Sequence, residues 1–155
     1  MDLVSDELAD LASAALEAAL AVARAGLADH GAGCRLAVIG MGKCGGRELN
    51  YVSDVDVVFV AEPAAVGAGP APSEAAALET GTRLASALMR ICSASTAEGT
   101  LWPVDAGLRP EGGAGPLVRT LASHTAYYKR WAQTWRVSTD DLARHPDGEP
   151  PNHPR

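Results

Sequence analysis

The chain has 155 residues, 47% of them hydrophobic, and a formal net charge of −6 at pH 7. This length predicts a single domain with a hydrophobic core and is too short for a multidomain enzyme. The acidic balance, without any basic stripe, argues against a protein that binds nucleic acid.

The N-terminal segment, residues 3–29, is rich in alanine and leucine and predicts a packing helix without chemistry of its own. Gly31 and Gly33 are expected to end this helix. The apolar residues that recur at helical spacing, and that we expect on its buried face, are Leu8, Leu11, Ala15, Ala18 and Val22.

Two short buried strands are predicted next, Leu36–Ile39 and Val55–Val60, because each is a continuous apolar run. Residues 45–51 between them leave room for only about two helical turns. Residues 62–72 contain proline and glycine without periodicity, which predicts a surface loop.

An amphipathic helix is predicted from Ser73, as its N-cap, to about Ser93. The apolar residues that define its buried face are Leu78, Gly81, Leu84, Ala85, Leu88, Ile91 and Cys92. Their three- and four-residue steps match one side of a helix, so we expect this helix to pack on the sheet.

The last predicted elements are short. Residues 100–108 and 116–120 favour strands, and Pro103 predicts an edge or a bulge in the first of them because proline has no N–H to donate. A helix that Ser123 caps is predicted through Trp135, and we expect its aromatic side chains to pack in a core.

Cys34, Cys44 and Cys92 are odd in number and lack metal-ligand spacing, which favours reduced thiols in a cytosolic protein. No apolar span approaches the ~20 residues that cross a bilayer. No secretory leader is recognisable at the N-terminus. We therefore expect a cytoplasmic protein that is not associated with a membrane.

The most informative pattern is GMGKCGGRELNYVSDVD, residues 40–56. Asp54 and Asp56 open the second predicted strand, and residues two apart in a strand point to the same face. An isolated Asp-x-Asp also occurs at solvated strand ends, but the upstream glycines and the buried strand argue against that reading. Carboxylates that share a face repel each other, and a divalent cation between them relieves the repulsion.

The glycine-rich turn supplies candidates for binding phosphate. Gly45 and Gly46 would let backbone N–H groups approach a polyphosphate, helped by the positive end of a short helix after them. Lys43 faces either phosphate or solvent, and Ser53 directly precedes the acids. Phosphate held in this way beside acids that bind Mg²⁺ is what phosphoryl or nucleotidyl transfer requires.

A dinucleotide-binding oxidoreductase is an alternative from another class. Gly40, Gly42 and Gly45 satisfy the Gly-x-Gly-x-x-Gly pattern after a strand, and Glu62 follows at a suitable distance for a ribose-binding acid. Against this reading, the connection between the strands barely holds a crossover helix. A buried parallel strand also has no reason to begin with two acids.

The 40–56 pattern resembles the signature of the glutamine-synthetase adenylyltransferase/adenylyl-removing enzymes. A second block, VDAGLRPEG at 104–112 followed by GPLVR at 115–119, is similar to a downstream motif of that family. A third, YYKRWAQTW at 127–135, resembles the helix that follows. The motifs occur in the family's order, and the resemblance implies an α+β, polymerase-β-like nucleotidyltransferase fold, with a small mixed sheet and helices packed on one face.

The resemblance implies a third acid, Asp105, beside Asp54 and Asp56, and three acids can bind up to two Mg²⁺ ions. Arg109 follows in the same block, and its planar guanidinium suits phosphate oxygens. A structural ion pair with Glu111 or Glu48 is the alternative role of this arginine.

The implied activity is modification of a glutamine synthetase tyrosine, either by attaching AMP from ATP or by phosphorolysis that releases ADP. The segment GRELNY, residues 46–51, looks more like the corresponding segment of the adenylyl-removing unit. The resemblance implies glutamine synthetase as protein substrate and a PII-type signalling protein as partner of regions that are missing here. A non-catalytic remnant of such an enzyme is the competing reading.

The sequence divides into an N-terminal packing helix (1–34), a nucleotidyltransferase core (35–135) and a proline-rich tail (136–155) without apolar periodicity. The tail is expected to be disordered. Arg136 stands where the family has a glutamate, so we expect the chain to be a fragment of a longer, two-unit enzyme.

Overall fold

The computed structural model describes residues 3–27 and 31–131. The elements in chain order are α1 (Leu3–Ala25), β1 (Cys34–Gly40), α2 (Gly42–Gly45), β2 (Val55–Pro63), α3 (Glu74–Ser93), β3 (Val104–Asp105), a 3₁₀ turn (Gly112–Ala114), β4 (Val118–Arg119) and α4 (Leu121–Trp131). The predicted α+β class is confirmed. The predicted disordered tail, residues 136–155, lies outside the described residues.

Strand β2 is the centre of a mixed four-stranded sheet. β1 runs antiparallel to it, with Gly40 opposite Val57. β3 and β4 run parallel to β2, with Asp105 opposite Asp56 in the first pairing. The dinucleotide-binding alternative is therefore wrong, because that fold needs its first two strands parallel and joined by a crossover helix.

Helix α3 packs on the sheet along the face that the sequence predicts. Its N-cap is Ser73, whose hydroxyl accepts the Ala76 N–H at 3.2 Å. At Gly81 an added Cβ would lie 2.8 Å from the Cβ of Ala61, so the glycine lets the helix approach β2 closely. Buried β2 residues alternate along one face of the strand, and Val58 is buried on the other face. The alternating residues are Val55, Val57, Phe59 and Ala61.

Helix α1 packs against α3 through a face that differs in part from the one predicted, since Leu8 packs against the core as expected but other predicted residues do not. Leu11 and Val22 are 56% and 59% exposed. The residues buried instead are Ala9, Ala12, Leu16, Ala19 and Ala23. Small alanines allow two helices to approach closely, so the buried face is the one with the small side chains and not the one with Leu11 and Val22.

The strands that carry the later motifs are shorter than predicted. The strand expected over 100–108 is limited to Val104–Asp105, directly after Pro103. The Pro103 carbonyl accepts the Val55 N–H at 2.9 Å, so the chain next to the proline still pairs with β2 as an acceptor. The strand expected over 116–120 is limited to Val118–Arg119.

The described residues fall into two compact units, one that ends at Leu121 and one that begins at Ala122. Helix α4 begins at Leu121, two residues before the predicted cap. Within the second unit, the Tyr127 and Tyr128 rings meet edge to face with centroids 5.6 Å apart, and His124 stacks on Tyr128 at 6.3 Å. Across the described ranges, no helix is long and apolar enough to cross a membrane.

Candidate functional site

Three carboxylates come together where β2 and β3 run side by side. Each of Asp54, Asp56 and Asp105 offers an oxygen that lies within 4.8 Å of the other two. Asp56 and Asp105 are directly opposite in the parallel register, and Asp54 precedes β2 by one residue. Asp56 alternates with the buried Val55 and Val57, so the acids lie on the face of β2 opposite α3. The convergence predicted for these three residues is observed.

The cluster is electrostatically unfavourable without a cation. Partial burial raises the pKa of the Asp56 carboxyl, and the negative charges of Asp54 and Asp105 raise this pKa further. The Lys43 ammonium acts in the opposite direction and lowers the pKa of Asp56. Three carboxylates that repel one another in this way favour a divalent cation. Hard cations prefer carboxylate oxygens, and their positive charge offsets the repulsion.

Gly42 and Gly107 lie so close to carboxylates of the cluster that a side chain at either position would crowd them. Gly42 has φ +51°, and an added Cβ there would lie 2.6 Å from Oδ2 of Asp56. The Gly107 N–H donates to Oδ1 of Asp105 at 2.7 Å, and an added Cβ at Gly107 would lie 3.1 Å from that oxygen. Both carboxylates are thus positioned by glycine backbone that a larger residue would crowd.

The glycine-rich turn differs from the prediction. The short helix occupies Gly42–Gly45, so that it ends at the Gly-Gly pair instead of following it over residues 45–51. The Gly45 N–H donates to the Met41 carbonyl and the Gly46 N–H to the Gly42 carbonyl, each at 2.9 Å. These N–H groups are therefore engaged inside the turn, and they shape it instead of pointing toward a phosphate group.

Lys43 and Ser53 are the predicted phosphate contacts that remain next to the acids. Lys43 is exposed on α2, close enough to Asp56 for its charge to affect that carboxyl. Ser53 is half-buried and directly precedes Asp54. Both residues can present a hydrogen-bond donor beside the carboxylates.

Arg109 donates its hydrogen bonds to backbone carbonyls of its own loop. The two roles considered from the sequence were contact with phosphate and an ion pair with Glu111 or Glu48. The Arg109 guanidinium donates to the carbonyls of Ala106 at 2.7 Å, Gly113 at 3.3 Å and Gly115 at 3.3 Å. Glu111 pairs with Arg119 at 2.7 Å, not with Arg109. Arg109 therefore closes the loop that follows Asp105, which is a structural role next to the site.

A cavity of about 570 Å³ lies away from the acids, between α1 and the glycine-rich turn. Its lining residues are Ser13, Leu16, Glu17, Leu20, Val38, Gly40, Cys44, Gly45 and Arg47. Cys44 is buried there, and burial together with the Asp56 charge raises the pKa of its thiol. A thiol that resists ionisation is a poor nucleophile, which favours a packing role for Cys44.

Sequence reasoning missed the ion pairs between the turn and α1. Nε of Arg47 lies 2.9 Å from Asp6, and one of its terminal nitrogens lies 2.8 Å from Asp10. The available signal was the pair of acids four residues apart on a predicted helix, which places both on one side. Nothing local in the sequence shows which basic residue they meet.

The chain was compared with known proteins. The model of the family described as glutamate-ammonia ligase adenylyltransferase matches residues 1–140. This match is longer than the three motifs and includes α1.

Two bifunctional glutamine synthetase adenylyltransferase/adenylyl-removing enzymes are close relatives. The one from Streptomyces avermitilis is 67% identical over 143 residues, 92% of this chain. The one from Streptomyces coelicolor is 61% identical over 144 residues, 93% of this chain. In each case the match spans 14% of the relative's own length, so the chain corresponds to a small part of those proteins.

Proposed function

Because this chain belongs to the glutamate-ammonia ligase adenylyltransferase family, we propose that it is a nucleotidyltransferase unit that acts on glutamine synthetase. The reaction is transfer of AMP from ATP to a tyrosine, or phosphorolysis of that AMP-tyrosine to release ADP. Both directions require an in-line attack on the same α-phosphorus. One set of acids therefore serves either direction.

The observation that carries the proposal is the convergence of Asp54, Asp56 and Asp105 within 4.8 Å on two parallel strands. A mixed sheet with α3 packed on one face and the acids on the other supports a polymerase-β-like nucleotidyltransferase fold. The three acids are separated in sequence by up to 51 positions, so their meeting is a product of the fold and not of a local turn.

The carboxylates fit Mg²⁺. All three offer oxygen ligands. Burial, and then the charges of Asp54 and Asp105, raise the pKa of Asp56, and a bound cation would offset the repulsion between these charges. When bound there, Mg²⁺ supplies charge neutralisation of the phosphate oxygens and orientation of the polyphosphate. Asp54, Asp56 and Asp105 would hold it.

Lys43 and Ser53 are the phosphate-binding side chains in this proposal. The ammonium of Lys43 lies on the acid side of the turn and brings positive charge to a polyphosphate. The hydroxyl of Ser53 adds a neutral donor. Gly45 and Gly46 shape the turn that carries Lys43, and Arg109 supports the loop after Asp105.

The direction of the reaction is the finer part of the proposal. We favour phosphorolysis, because GRELNY at residues 46–51 resembles the adenylyl-removing unit. Glutamine synthetase is then the protein substrate, with phosphate and ADP as the small-molecule reactant and product. A PII-type signalling protein would act through parts of the longer relatives that this chain does not match.

The test is to incubate the chain with Mg²⁺, phosphate and adenylylated glutamine synthetase and to measure ADP. A parallel reaction with ATP and unmodified glutamine synthetase measures the opposite direction. Asp56→Asn is the negative control and Glu79→Gln, an exposed acid on α3, is the matched neutral variant. Turnover that survives in Asp56→Asn would contradict the assignment of the acids.

A nucleotide-binding remnant without catalytic activity is the second candidate. The observation that favours it is that this chain matches only 14% of the length of each of the two relatives. This candidate predicts Mg²⁺-dependent binding of ATP or ADP without turnover in either direction. Calorimetry of nucleotide binding beside the turnover assay separates the two functions. Absence of both binding and turnover would contradict both candidates.

A further inference from the structure

Arg47 occupies a backbone position that glycine usually takes. Its φ is +58°, in the left-handed region. The Glu48 N–H donates to the Lys43 carbonyl at 2.8 Å, and the Arg47 N–H donates to the Cys44 carbonyl at 3.2 Å. These two bonds form the helix-ending Schellman motif, in which the residue at the left-handed position is most often glycine.

The arginine side chain accounts for this exception. Arg47 reaches α1 and pairs with Asp6 at 2.9 Å and with Asp10 at 2.8 Å. The two aspartates are one helical turn apart and therefore present both carboxylates on the same side of α1. A glycine at residue 47 would be unstrained but could not make either contact.

The contacts cross a region where α1 and the turn are not closely packed. The 570 Å³ cavity lies between them, and Arg47 is one of its lining residues. The ion pairs therefore tie the turn to α1 beside a void, where apolar packing contributes less to holding it in place.

The turn that is tied in this way carries two groups of the candidate site. Gly42 adjoins the Asp56 carboxylate, and the Lys43 carbonyl is the acceptor at the helix end that Arg47 closes. We propose that Arg47, held by Asp6 and Asp10, is a positioning residue that fixes the turn so that Lys43 meets the phosphates of a magnesium-bound adenine nucleotide at the acid cluster.

This inference rests on the proposed function, because Mg²⁺-nucleotide binding is its readout. The ion pairs of Arg47 with Asp6 and Asp10, here called the clamp, would act differently from a general effect of charge. Removing the positive charge of Arg47 should weaken nucleotide binding through the long-range field alone, whereas removing negative charge from Asp6 and Asp10 should strengthen it. The clamp predicts that both changes weaken binding.

The experiment measures the Kd of Mg²⁺-ATP and Mg²⁺-ADP by calorimetry for the full 155-residue chain and four variants. These are Arg47→Gly, Arg47→Lys, the double variant Asp6→Asn/Asp10→Asn, and the double variant Glu7→Gln/Glu17→Gln. The last is the matched control, because it removes two charges from exposed positions of the same helix. A combination of Arg47→Gly with Asp6→Asn/Asp10→Asn completes a double-mutant cycle.

We expect Arg47→Gly and Asp6→Asn/Asp10→Asn each to weaken nucleotide binding by about 1.5-fold to fivefold, the range measured for an exposed ion pair. The variant that combines these changes should bind nucleotide no more weakly than either of them alone. The affinity of Arg47→Lys should lie between those of the parent and Arg47→Gly. The melting temperature of Arg47→Gly should stay close to that of the parent, because glycine relieves the left-handed backbone while the ion pairs are lost. Tighter binding by Asp6→Asn/Asp10→Asn, or equal binding by Arg47→Gly, would overturn the proposal.

Hydrogen exchange keeps the inference testable apart from the proposed function. Loss of the clamp should speed exchange of the Glu48 amide, which is hydrogen-bonded to the Lys43 carbonyl, in Asp6→Asn/Asp10→Asn but not in Glu7→Gln/Glu17→Gln. If the parent binds no nucleotide, the proposed function fails for this chain, and the exchange result alone decides whether Arg47 holds the turn. Unchanged exchange at Glu48 would refute the clamp.

Discussion

The α-carbon of Gly42 and the carboxylate of Asp56 approach each other so closely that a side chain at residue 42 has no room. An added Cβ would lie 2.6 Å from Oδ2 of Asp56, and Gly42 also has φ +51°. The Met41 N–H donates to the Asp56 carbonyl at 2.8 Å, so the backbone of the turn is fixed to the same residue. The glycine at this position is therefore required by sterics and by backbone conformation together.

Gly42→Ala should displace the Asp56 carboxylate and weaken Mg²⁺-nucleotide binding by tenfold or more, measured by calorimetry. The left-handed backbone alone costs about 1–2 kcal/mol for an alanine. Gly67→Ala is the control, because Gly67 has φ +60° and nothing within 4 Å of its added Cβ. If the two variants lose equal stability and both keep nucleotide affinity, crowding of Asp56 is not the reason for Gly42.

Asp56→Asn should stabilise the metal-free chain at neutral pH while it impairs catalysis by on the order of a hundredfold. Burial and the neighbouring acids raise the folded-state pKa of Asp56 above the ordinary 3.8, so the folded state binds more protons there than the unfolded state. The resulting penalty is absent below pH 3.8 and is complete above the raised pKa. Stability of the parent should therefore fall as pH rises through that window, and the asparagine variant should lack this fall.

Thermal melting at a series of pH values without divalent cation measures this effect. Glu79→Gln, on the exposed side of α3, serves as the control for removing one negative charge. Addition of Mg²⁺ should raise the melting temperature of the parent more than that of Asp56→Asn, because the cation offsets the same repulsion. A lower melting temperature for Asp56→Asn at pH 7 in metal-free buffer would show that the carboxylate is not under electrostatic strain.

The orientation of α1 can be checked with two leucines five positions apart. Leu16 is 9% exposed in the core and Leu11 is 56% exposed. Leu16→Ala should cost about 2–5 kcal/mol of unfolding free energy by loss of burial and creation of a cavity, and Leu11→Ala should cost far less. Denaturant unfolding of both variants gives the comparison. Equal costs would mean that α1 packs on the predicted face after all.

The acid cluster and α3 were predictable because each depends on a short-range rule. Strand alternation puts Asp54 and Asp56 on one face, and three- and four-residue steps define the buried face of α3. Asp105 needed the family motif, because no local rule says that a residue 49 positions after Asp56 lies opposite it.

The α1 face, the turn and the Arg109 contacts were not predictable from local patterns. Leucine and valine were favoured over alanine for the core of α1, whereas close packing against α3 selects the alanines. Gly42, at the start of the short helix, has a positive φ, which a glycine permits but which the sequence does not require. The partners of Arg109 are carbonyls of a folded loop, which exist as a set only after the loop has formed.

Arg109→Lys separates a loop-closing role from a phosphate-binding role. Lysine keeps the charge but cannot reach the three carbonyls of Ala106, Gly113 and Gly115 with one planar group. Lost hydrogen bonds from a charged donor should reduce the unfolding free energy by on the order of 1–3 kcal/mol, and amide exchange should rise in residues 106–115. Because the loop holds Asp105 through Gly107, nucleotide affinity should fall as a consequence. An Arg109→Lys variant with parental stability and weakened nucleotide binding would instead show that the guanidinium contacts phosphate directly.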